Sequence, residues 1–173
     1  LSTLKQRCVM DNFQMYNPVK LHFGKGVVEK LGKVAGGYGK KVLFIYGKGS
    51  VKRSGLYDLA MDQLKGAGFQ VTEYDGIRSN PVIEDVRKAA ELGRSAGAEL
   101  IVAAGGGSVI DSAKAIAAAI PYDGDAWDFF DGKARPVSAV PLIAILTLAA
   151  TGTEMNSFAV VQNEDSKSKA AFG

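Results

Sequence analysis

Hydrophobic residues follow two different periods along the chain, one typical of buried strands and the other of amphipathic helices. Residues 42–46 (VLFIY) form a continuous apolar run that ends in a glycine turn, which is typical of a strand buried on both faces. The next segment carries Leu56, Leu59, Ala60 and Leu64 at helical spacing and is closed by two glycines. This spacing predicts a helix.

The same alternation of strand and helix patterns continues to the end of the chain. Further strands are predicted at residues 19–23, 69–76, 99–104 and 140–148, and further helices at 27–37, 80–98 and 109–120. Asn80 is expected to cap its helix, with Pro81 in the first turn. Residues 121–133 predict a loop with a helical turn, and residues 158–173 a strand, a polar turn and a second strand. Repeated alternation of this kind predicts a Rossmann-like α/β domain, a parallel sheet with right-handed crossovers and helices on both faces.

Three turns rich in glycine or threonine follow predicted strands, at residues 47–49 (GKG), 105–107 (GGG) and 151–153 (TGT). In open parallel sheets, ligands bind beyond the carboxyl ends of the strands. We therefore expect these turns to lie at one edge of the sheet and to form one binding site.

The turn at residues 105–107 has the chemistry of an anion site. Glycine lets another group approach the backbone closely, and the free N–H groups at a helix N-terminus attract phosphate. Ser108 and Ser112 add hydroxyl donors. The turn is neither G-x-G-x-x-G nor a P-loop, so a tight turn without a ligand remains an alternative. A second glycine turn at the same sheet edge favours a dinucleotide.

Composition narrows the class of protein. The 173 residues suit one domain, and a net charge of +3 from interspersed residues does not favour nucleic acid or a membrane surface as a partner. No apolar run reaches the roughly 18 to 20 residues that span a bilayer.

A single cysteine, Cys8, indicates a reducing compartment, so we expect a cytoplasmic protein. Residues 1–9 are interpreted as an N-terminal extension and residues 10–173 as the dinucleotide-binding domain.

A metal site is not predicted within the chain. His22 is the only histidine, so the imidazole-rich sites that transition metals favour cannot be assembled from one chain. The acidic stretch 123–131 does not have the spacing of a calcium-binding EF-hand loop. We expect His22 to lie at the surface, and the acids of this stretch to cap turns and to face water: Asp123, Asp125, Asp128 and Asp131.

Six motifs occur in an order that resembles a known family. They are KLHFGKG, VLFIYGKGSVKRSGLYD, IRSNPVIEDV, AAGGGSVIDSAKAIAA, DAWDFF and LTLAATGTEMNSFAVV. Together they resemble the N-terminal half of the iron-containing (group III) alcohol dehydrogenases, most closely the NAD(P)H-dependent butanol dehydrogenases. The resemblance spans about residues 12–173. It implies a dehydroquinate synthase-like N-terminal domain and a C-terminal all-helical domain whose positions would lie beyond Gly173.

The resemblance also implies which residues bind the cofactor. The pyrophosphate loop is matched by Gly105, Gly106, Gly107 and Ser108. The turn beside the adenosine ribose is matched by Gly47, Gly49 and Ser50. The segment beside the adenine half is matched by Asn80 and Pro81. The loop at the pyrophosphate and nicotinamide is matched by Thr147, Thr151 and Gly152, and a polar position near the nicotinamide by Asp111.

The ribose turn bears on the choice of cofactor. Relatives that prefer NAD often have an aspartate there, whereas this chain has Gly47 and Lys48. No carboxylate would repel a 2′-phosphate, and four residues of this region would favour one: Lys48, Ser50, Lys52 and Arg53. NADP is therefore preferred over NAD, although a solvated basic turn without such a role remains an alternative.

The resemblance implies hydride transfer between the nicotinamide and a primary alcohol or its aldehyde. The family's iron or zinc is held by one aspartate and three histidines of the helical domain, so we expect this chain to be a truncated cofactor-binding half. Alternatives are a catalytically inactive dinucleotide-binding fragment and a glycerol dehydrogenase-like enzyme. The face that normally packs on the helical domain would be exposed, and exposed apolar surface promotes association, so a homodimer or higher homo-oligomer is expected.

Overall fold

Continuous apolar runs place two strands at the centre of a four-stranded parallel sheet. The strands are β1 (Lys41–Gly47), β2 (Gln70–Ile77), β3 (Leu100–Gly105) and β4 (Leu142–Leu146). Their order is β2-β1-β3-β4, with every neighbouring pair parallel. These elements come from a computed structural model that describes residues 12, 14 and 16–173. The predicted extension at residues 1–9, including Cys8, lies outside the described residues.

Helices cover both faces of the sheet because side chains alternate along the central strands. The helices are α1 (Leu31–Ala35), α2 (Ser50–Arg53), α3 (Leu56–Gly66), α4 (Ile83–Ala96) and α5 (Gly107–Ala119). Leu43 and Ile45 of β1 pack with α4 and α5, whereas Phe44 and Tyr46 pack with α1, α2 and α3. The predicted Rossmann-like α/β fold is confirmed for the described residues.

A hairpin at the end of the chain packs beside α5. It consists of the antiparallel strands β5 (Ala159–Asn163) and β6 (Ser168–Phe172). The Phe172 ring lies 4.9 Å from that of Phe130 and 5.7 Å from that of Phe129. The N–H of Gln162 donates to the carbonyl of Pro81 at 2.8 Å. The predicted strand, turn and second strand are confirmed.

Short 3₁₀ turns complete the described part of the chain. They span Val27–Lys30, Ala126–Phe129 and Thr153–Met155. Asp125 caps the second turn by accepting from the Trp127 N–H at 2.7 Å, Asp128 accepts from the Tyr122 hydroxyl and Asp131 from the Lys133 N–H. The expectation that these acids cap turns is confirmed for Asp125. His22 is exposed as expected. Within residues 12, 14 and 16–173, no helix has the length and apolar character to cross a membrane.

Two local predictions are wrong. Residues 19–23 are not a strand, because their alternating side chains have no sheet to pack on, and Phe23 is 93% exposed. Asn80 and Pro81 lie outside α4, whose N-cap is Val82 without a side-chain cap. Asn80 instead has a left-handed φ of 61°.

The C-terminal end of α5 is held by an arginine from α4. Arg94 donates from Nη2 to the carbonyls of Ala119 at 3.0 Å and Tyr122 at 3.2 Å, and from Nε to that of Ile120 at 3.2 Å. The last carbonyls of a helix have no partner within the helix itself. Arg94 therefore supplies hydrogen-bond donors to the carbonyls at the end of α5 and holds this helix against α4.

We predict that Arg94→Met lowers the free energy of unfolding by about 1–2 kcal/mol, because it removes charge-assisted hydrogen bonds to carbonyls that the helix cannot satisfy. Urea unfolding followed by circular dichroism would measure the change. Arg94 also pairs with the exposed Glu91, so Glu91→Gln is the control and should cost less than about 1 kcal/mol. An equal cost for both variants would assign the effect to the surface ion pair.

Candidate functional site

The N-terminus of α5 lies at the carboxyl edge of the sheet. Only Gly106 separates the end of β3 from the start of α5, and this N-cap makes no side-chain hydrogen bond. The first N–H groups of a helix have no partner within the helix. Together with the helix dipole, they attract a phosphate or another anion.

Two glycines of this turn, Gly105 and Gly107, are required by close approach rather than by unusual backbone angles, whereas a Cβ on Gly106 would meet nothing within 4 Å. A Cβ on Gly105 would lie 2.5 Å from the Cγ2 atom of Val109, and a Cβ on Gly107 would lie 2.8 Å from the Oγ1 atom of Thr151. The same Cγ2 atom of Val109 would lie 3.6 Å from a Cβ on Gly47. All three predicted turns therefore meet around the first residues of α5. We call this meeting point the α5 cradle, formed by residues 47, 105–108 and 151.

Two more of the predicted segments contact the α5 cradle through the backbone. The N–H of Asn80 donates to the Oγ atom of Ser108 at 3.3 Å, and the N–H of Thr147 donates to the carbonyl of Gly105 at 3.0 Å. Pro81 is buried, and its carbonyl is used by the hairpin. Pro81 therefore joins this segment to the hairpin.

The predicted ribose turn continues from Gly47 into α2. Gly49 is the N-cap of α2, and Ser50 is its exposed first residue. Arg53 folds back over this turn, with Nη1 at 3.0 Å from the point that a Cβ on Gly49 would occupy. A guanidinium group thus lies directly beside the ribose turn.

The neighbouring Lys52 has a different environment. Its Nζ atom lies 5.1 Å and 5.0 Å from the ring centroids of Tyr46 and Tyr57, which is cation–π geometry. Both tyrosine hydroxyls donate to the Oε2 atom of Glu73, at 2.8 Å and 2.9 Å. Burial and the hydrogen bond to Glu73 raise the pKa of Tyr46, so its hydroxyl stays protonated and remains a donor. The Lys52 charge is therefore held over an aromatic pair, whereas the Arg53 charge lies at the turn.

Asp111 lies one turn along α5, and both of its carboxylate oxygens accept hydrogen bonds within the chain. Oδ1 accepts from the hydroxyl of Thr153, and Oδ2 accepts from the N–H of Val160 at 3.2 Å. Asp111 therefore joins α5 to the start of the hairpin and to the loop that contains Thr151 and Gly152.

Lys114 joins the same loop to α5, and the sequence analysis missed it. Its Nζ atom donates to the Oγ1 atom of Thr153 at 2.6 Å, to the carbonyl of Phe158 at 2.6 Å and to the Oδ1 atom of Asn156 at 3.1 Å. Burial lowers the pKa of Lys114, while the charges of Asp111 and Glu154 oppose that shift. The spacing of Asp111 and Lys114, three residues apart on one helix, was the signal available in the sequence.

Ser112 was expected to add a hydroxyl donor to the cradle, and the structure contradicts this. Its side chain is fully buried within the domain, and its Oγ atom has no hydrogen-bond partner among the described residues. The helical period places it toward the interior, whereas Ser108 in the first turn of α5 is half-buried. Ser108 is therefore the serine that lies at the cradle.

The described residues fit a dinucleotide better than a metal ion. The α5 cradle offers an uncapped helix N-terminus and glycines whose Cβ atoms would clash with neighbouring residues. By contrast, no three His, Cys, Asp or Glu side chains within residues 12, 14 and 16–173 are grouped so as to hold a metal ion.

Comparison with known proteins identifies a family for almost the whole chain. The family model for iron-containing alcohol dehydrogenase matches residues 18–173. A probable NADH-dependent butanol dehydrogenase 1 of Bacillus subtilis (strain 168) is 49% identical over 164 residues, covering 95% of this chain and 42% of that protein. The NADPH-dependent aldehyde reductase YqhD of Escherichia coli (strain K12) is 39% identical, covering 94% of this chain and 42% of that protein.

A solved structure gives the same result. The NADH-dependent butanol dehydrogenase A of Thermotoga maritima superposes with a TM-score of 0.92 at 45% identity, covering 95% of this chain and 42% of that one. The chain thus spans about two fifths of the length of the relatives it matches. Because the family model covers most of its residues and the fold agrees, the chain belongs to the iron-containing alcohol dehydrogenase family.

Proposed function

We propose that the chain binds NAD(P) at the α5 cradle and serves as the cofactor-binding part of an NAD(P)-dependent alcohol dehydrogenase. The observation that carries this proposal is the convergence of the turns at residues 47, 105–107 and 151 on the uncapped N-terminus of α5. Neutral backbone N–H groups and the helix dipole would hold the pyrophosphate. The reaction is the interconversion of a primary alcohol and its aldehyde.

Individual residues would contribute in different ways. Gly105, Gly106, Gly107 and Ser108 would hold the pyrophosphate at the start of α5. Gly47, Gly49 and Ser50 would lie along the adenosine ribose, with Asn80 and Pro81 on the adenine side. Thr147, Thr151 and Gly152 would approach the pyrophosphate and nicotinamide from β4, and Asp111 would lie nearest the nicotinamide. When bound, the cofactor supplies the hydride acceptor or donor.

The names of the relatives support the reaction class. The Bacillus subtilis and Thermotoga maritima proteins are named as NADH-dependent butanol dehydrogenases, and the Escherichia coli protein as an NADPH-dependent aldehyde reductase. These names favour small primary alcohols and aldehydes over the glycerol dehydrogenase-like alternative. They include both cofactors, so the preference for NADP rests on the residues of the ribose turn.

The proposal separates cofactor binding from turnover. The resemblance assigns the family metal to a helical domain, and the described residues offer no metal-ligating group. We therefore propose cofactor binding for this chain and alcohol oxidation for the family's complete arrangement. Self-association stays a prediction; the exposed side chains of Leu148 and Phe158, beside the site, favour it. A cytoplasmic location also stays a prediction.

The proposal predicts saturable binding of NADH and NADPH to the chain, measured by the change in cofactor fluorescence on titration. ADP-ribose should displace both cofactors, because it retains the pyrophosphate without the nicotinamide. Absence of saturation up to about 1 mM, the upper end of typical KM values, would contradict the proposal. Adding Fe²⁺ or Zn²⁺ with butanal and following the absorbance of NADPH at 340 nm then distinguishes turnover from binding alone.

Gly107→Ala is predicted to weaken NADH binding about tenfold, which corresponds to about 1.4 kcal/mol. The new methyl group would push Thr151 away from the α5 cradle, since its Cβ would lie 2.8 Å from the Thr151 hydroxyl. Gly66→Ala is the control, because Gly66 lies in a helix with open space around its Cβ position. Equal affinities for Gly107→Ala and Gly66→Ala would argue against the cradle as the binding site.

Arg53 is predicted to decide between the two cofactors. Arg53→Met should weaken NADPH binding about tenfold relative to NADH, because a charge-assisted hydrogen bond to the 2′-phosphate is lost. Lys52→Met should leave the ratio of the two Kd values within about twofold, since the Lys52 charge is held over Tyr46 and Tyr57. The two Kd values of each variant, measured by fluorescence titration, test this assignment. A larger effect of Lys52→Met would reverse it.

A further inference from the structure

Lys114 is held at three points, each on the same loop. The lysine ammonium has three N–H donors and no acceptor. Here it donates to the hydroxyl of Thr153, the side-chain oxygen of Asn156 and the carbonyl of Phe158. The side chain is partly buried between α5 and this loop. Because all three N–H donors are used, both the Lys114 side chain and the loop around it are held in place.

The partners of Lys114 hold one another in place as well. The Thr153 hydroxyl donates a hydrogen bond to Asp111, and the Nδ2 atom of Asn156 donates to the carbonyl of Gly152 at 3.0 Å. The N–H of Phe158 donates to the Oδ1 atom of Asn156 at 2.9 Å. Residues 152–158 therefore form a small hydrogen-bonded unit, which we call the anchor segment, with Lys114 at its centre.

The residues just before the anchor segment have little support of their own. Residues 147–152 are exposed and contain neither helix nor strand. Within them, Thr151 directs its hydroxyl toward Gly107 at the α5 cradle. Exposed segments with few packed contacts open easily unless something holds them. The position of Thr151 therefore depends on the anchor segment that follows it.

We propose that Lys114 is a positioning residue that sets the Thr151 loop against the α5 cradle and so controls binding of the pyrophosphate and nicotinamide half of the cofactor. The inference rests on the proposed function, since it assumes that the cradle binds NAD(P). Lys114 acts through the anchor segment and is not itself placed against the cofactor. The adenosine half, at the Gly47 turn, lies outside its influence.

A lysine suits this position better than its nearest substitutes. Methionine has similar length but would leave the Thr153 hydroxyl and the Phe158 carbonyl without this donor, which is costly for Thr153 because its side chain is buried. Arginine would keep the charge, but its donors lie in one plane in a rigid fork. The three acceptors here belong to three different residues around a single nitrogen.

Hydrogen exchange tests the positioning without any ligand. In Lys114→Met, the amides of Met155, Asn156 and Phe158 should exchange about tenfold faster than in the unaltered chain, because the anchor segment opens locally. Amides in the middle of β1 should be unchanged. Lys88→Met, at an exposed lysine of α4, is the control and should leave the anchor segment protected. Unchanged protection in Lys114→Met would overturn the proposal.

Binding to two ligands tests the link to the cofactor. Lys114→Met should raise the Kd for NADH about tenfold and leave the inhibition constant for AMP, measured by displacement of NADH, within about twofold. A purely structural role would change both constants in parallel or leave both unchanged, and either result would overturn the inference. If the unaltered chain bound neither NADH nor AMP, the proposed function itself would fail. If it bound both, with constants equal to those of Lys114→Met, only the role of Lys114 would fail.

Discussion

The free N–H groups at the start of α5 are the constraint on which the site depends. A helix N-terminus needs acceptors, and here Gly106 supplies no side chain to provide one. Glycine is required at positions 105 and 107 because the neighbouring residues leave no space for a Cβ atom. A capped or bulkier turn would bring the same strands and helices together, but it would obstruct the N-terminus of α5, where the three turns meet. The cradle thus depends on the local backbone geometry of residues 105–107, and the rest of the domain packs around it.

The same helix connects the parts of the domain that surround the site. Arg94 holds its C-terminal end against α4, Asp111 joins it to the hairpin, and Lys114 joins it to the anchor segment. Each of these side chains comes from or reaches a different element, so α5 cannot shift without disturbing all of them. Rigid support of this kind suits an anion site, because the N–H groups are already oriented before the ligand arrives.

Local patterns predicted the sheet, the helices and the glycine turns, because each depends on neighbouring residues. The failures involve residues whose environment is set by distant parts of the chain. The alternation at residues 19–23 satisfies the strand period but lacks a sheet to pack on. Asn80 is a residue type that often caps helices, yet it does not cap α4. The first turn of α4 is instead linked to the preceding segment by Asp85, which accepts hydrogen bonds from the N–H and the side chain of Arg78. The spacing of Asp111 and Lys114 indicates neighbours on one helix, but it does not indicate the acceptors of Lys114, which lie about 40 positions away.

The two basic residues of α2 show why composition alone does not assign cofactor preference. Lys52 and Arg53 are adjacent and equally charged, but an ammonium over two aromatic rings beside Glu73 interacts with groups of the chain itself. The guanidinium of Arg53 is folded over Gly49 instead, and under the proposed function it would face the 2′-phosphate. Since a planar fork matches phosphate oxygens better than a point charge does, the proposed preference for NADP would depend on the conformation of this one side chain. Under the proposed function, different parts of this site would govern the two properties: the backbone at the start of α5 would hold the cofactor, and Arg53 would set the choice between NADP and NAD.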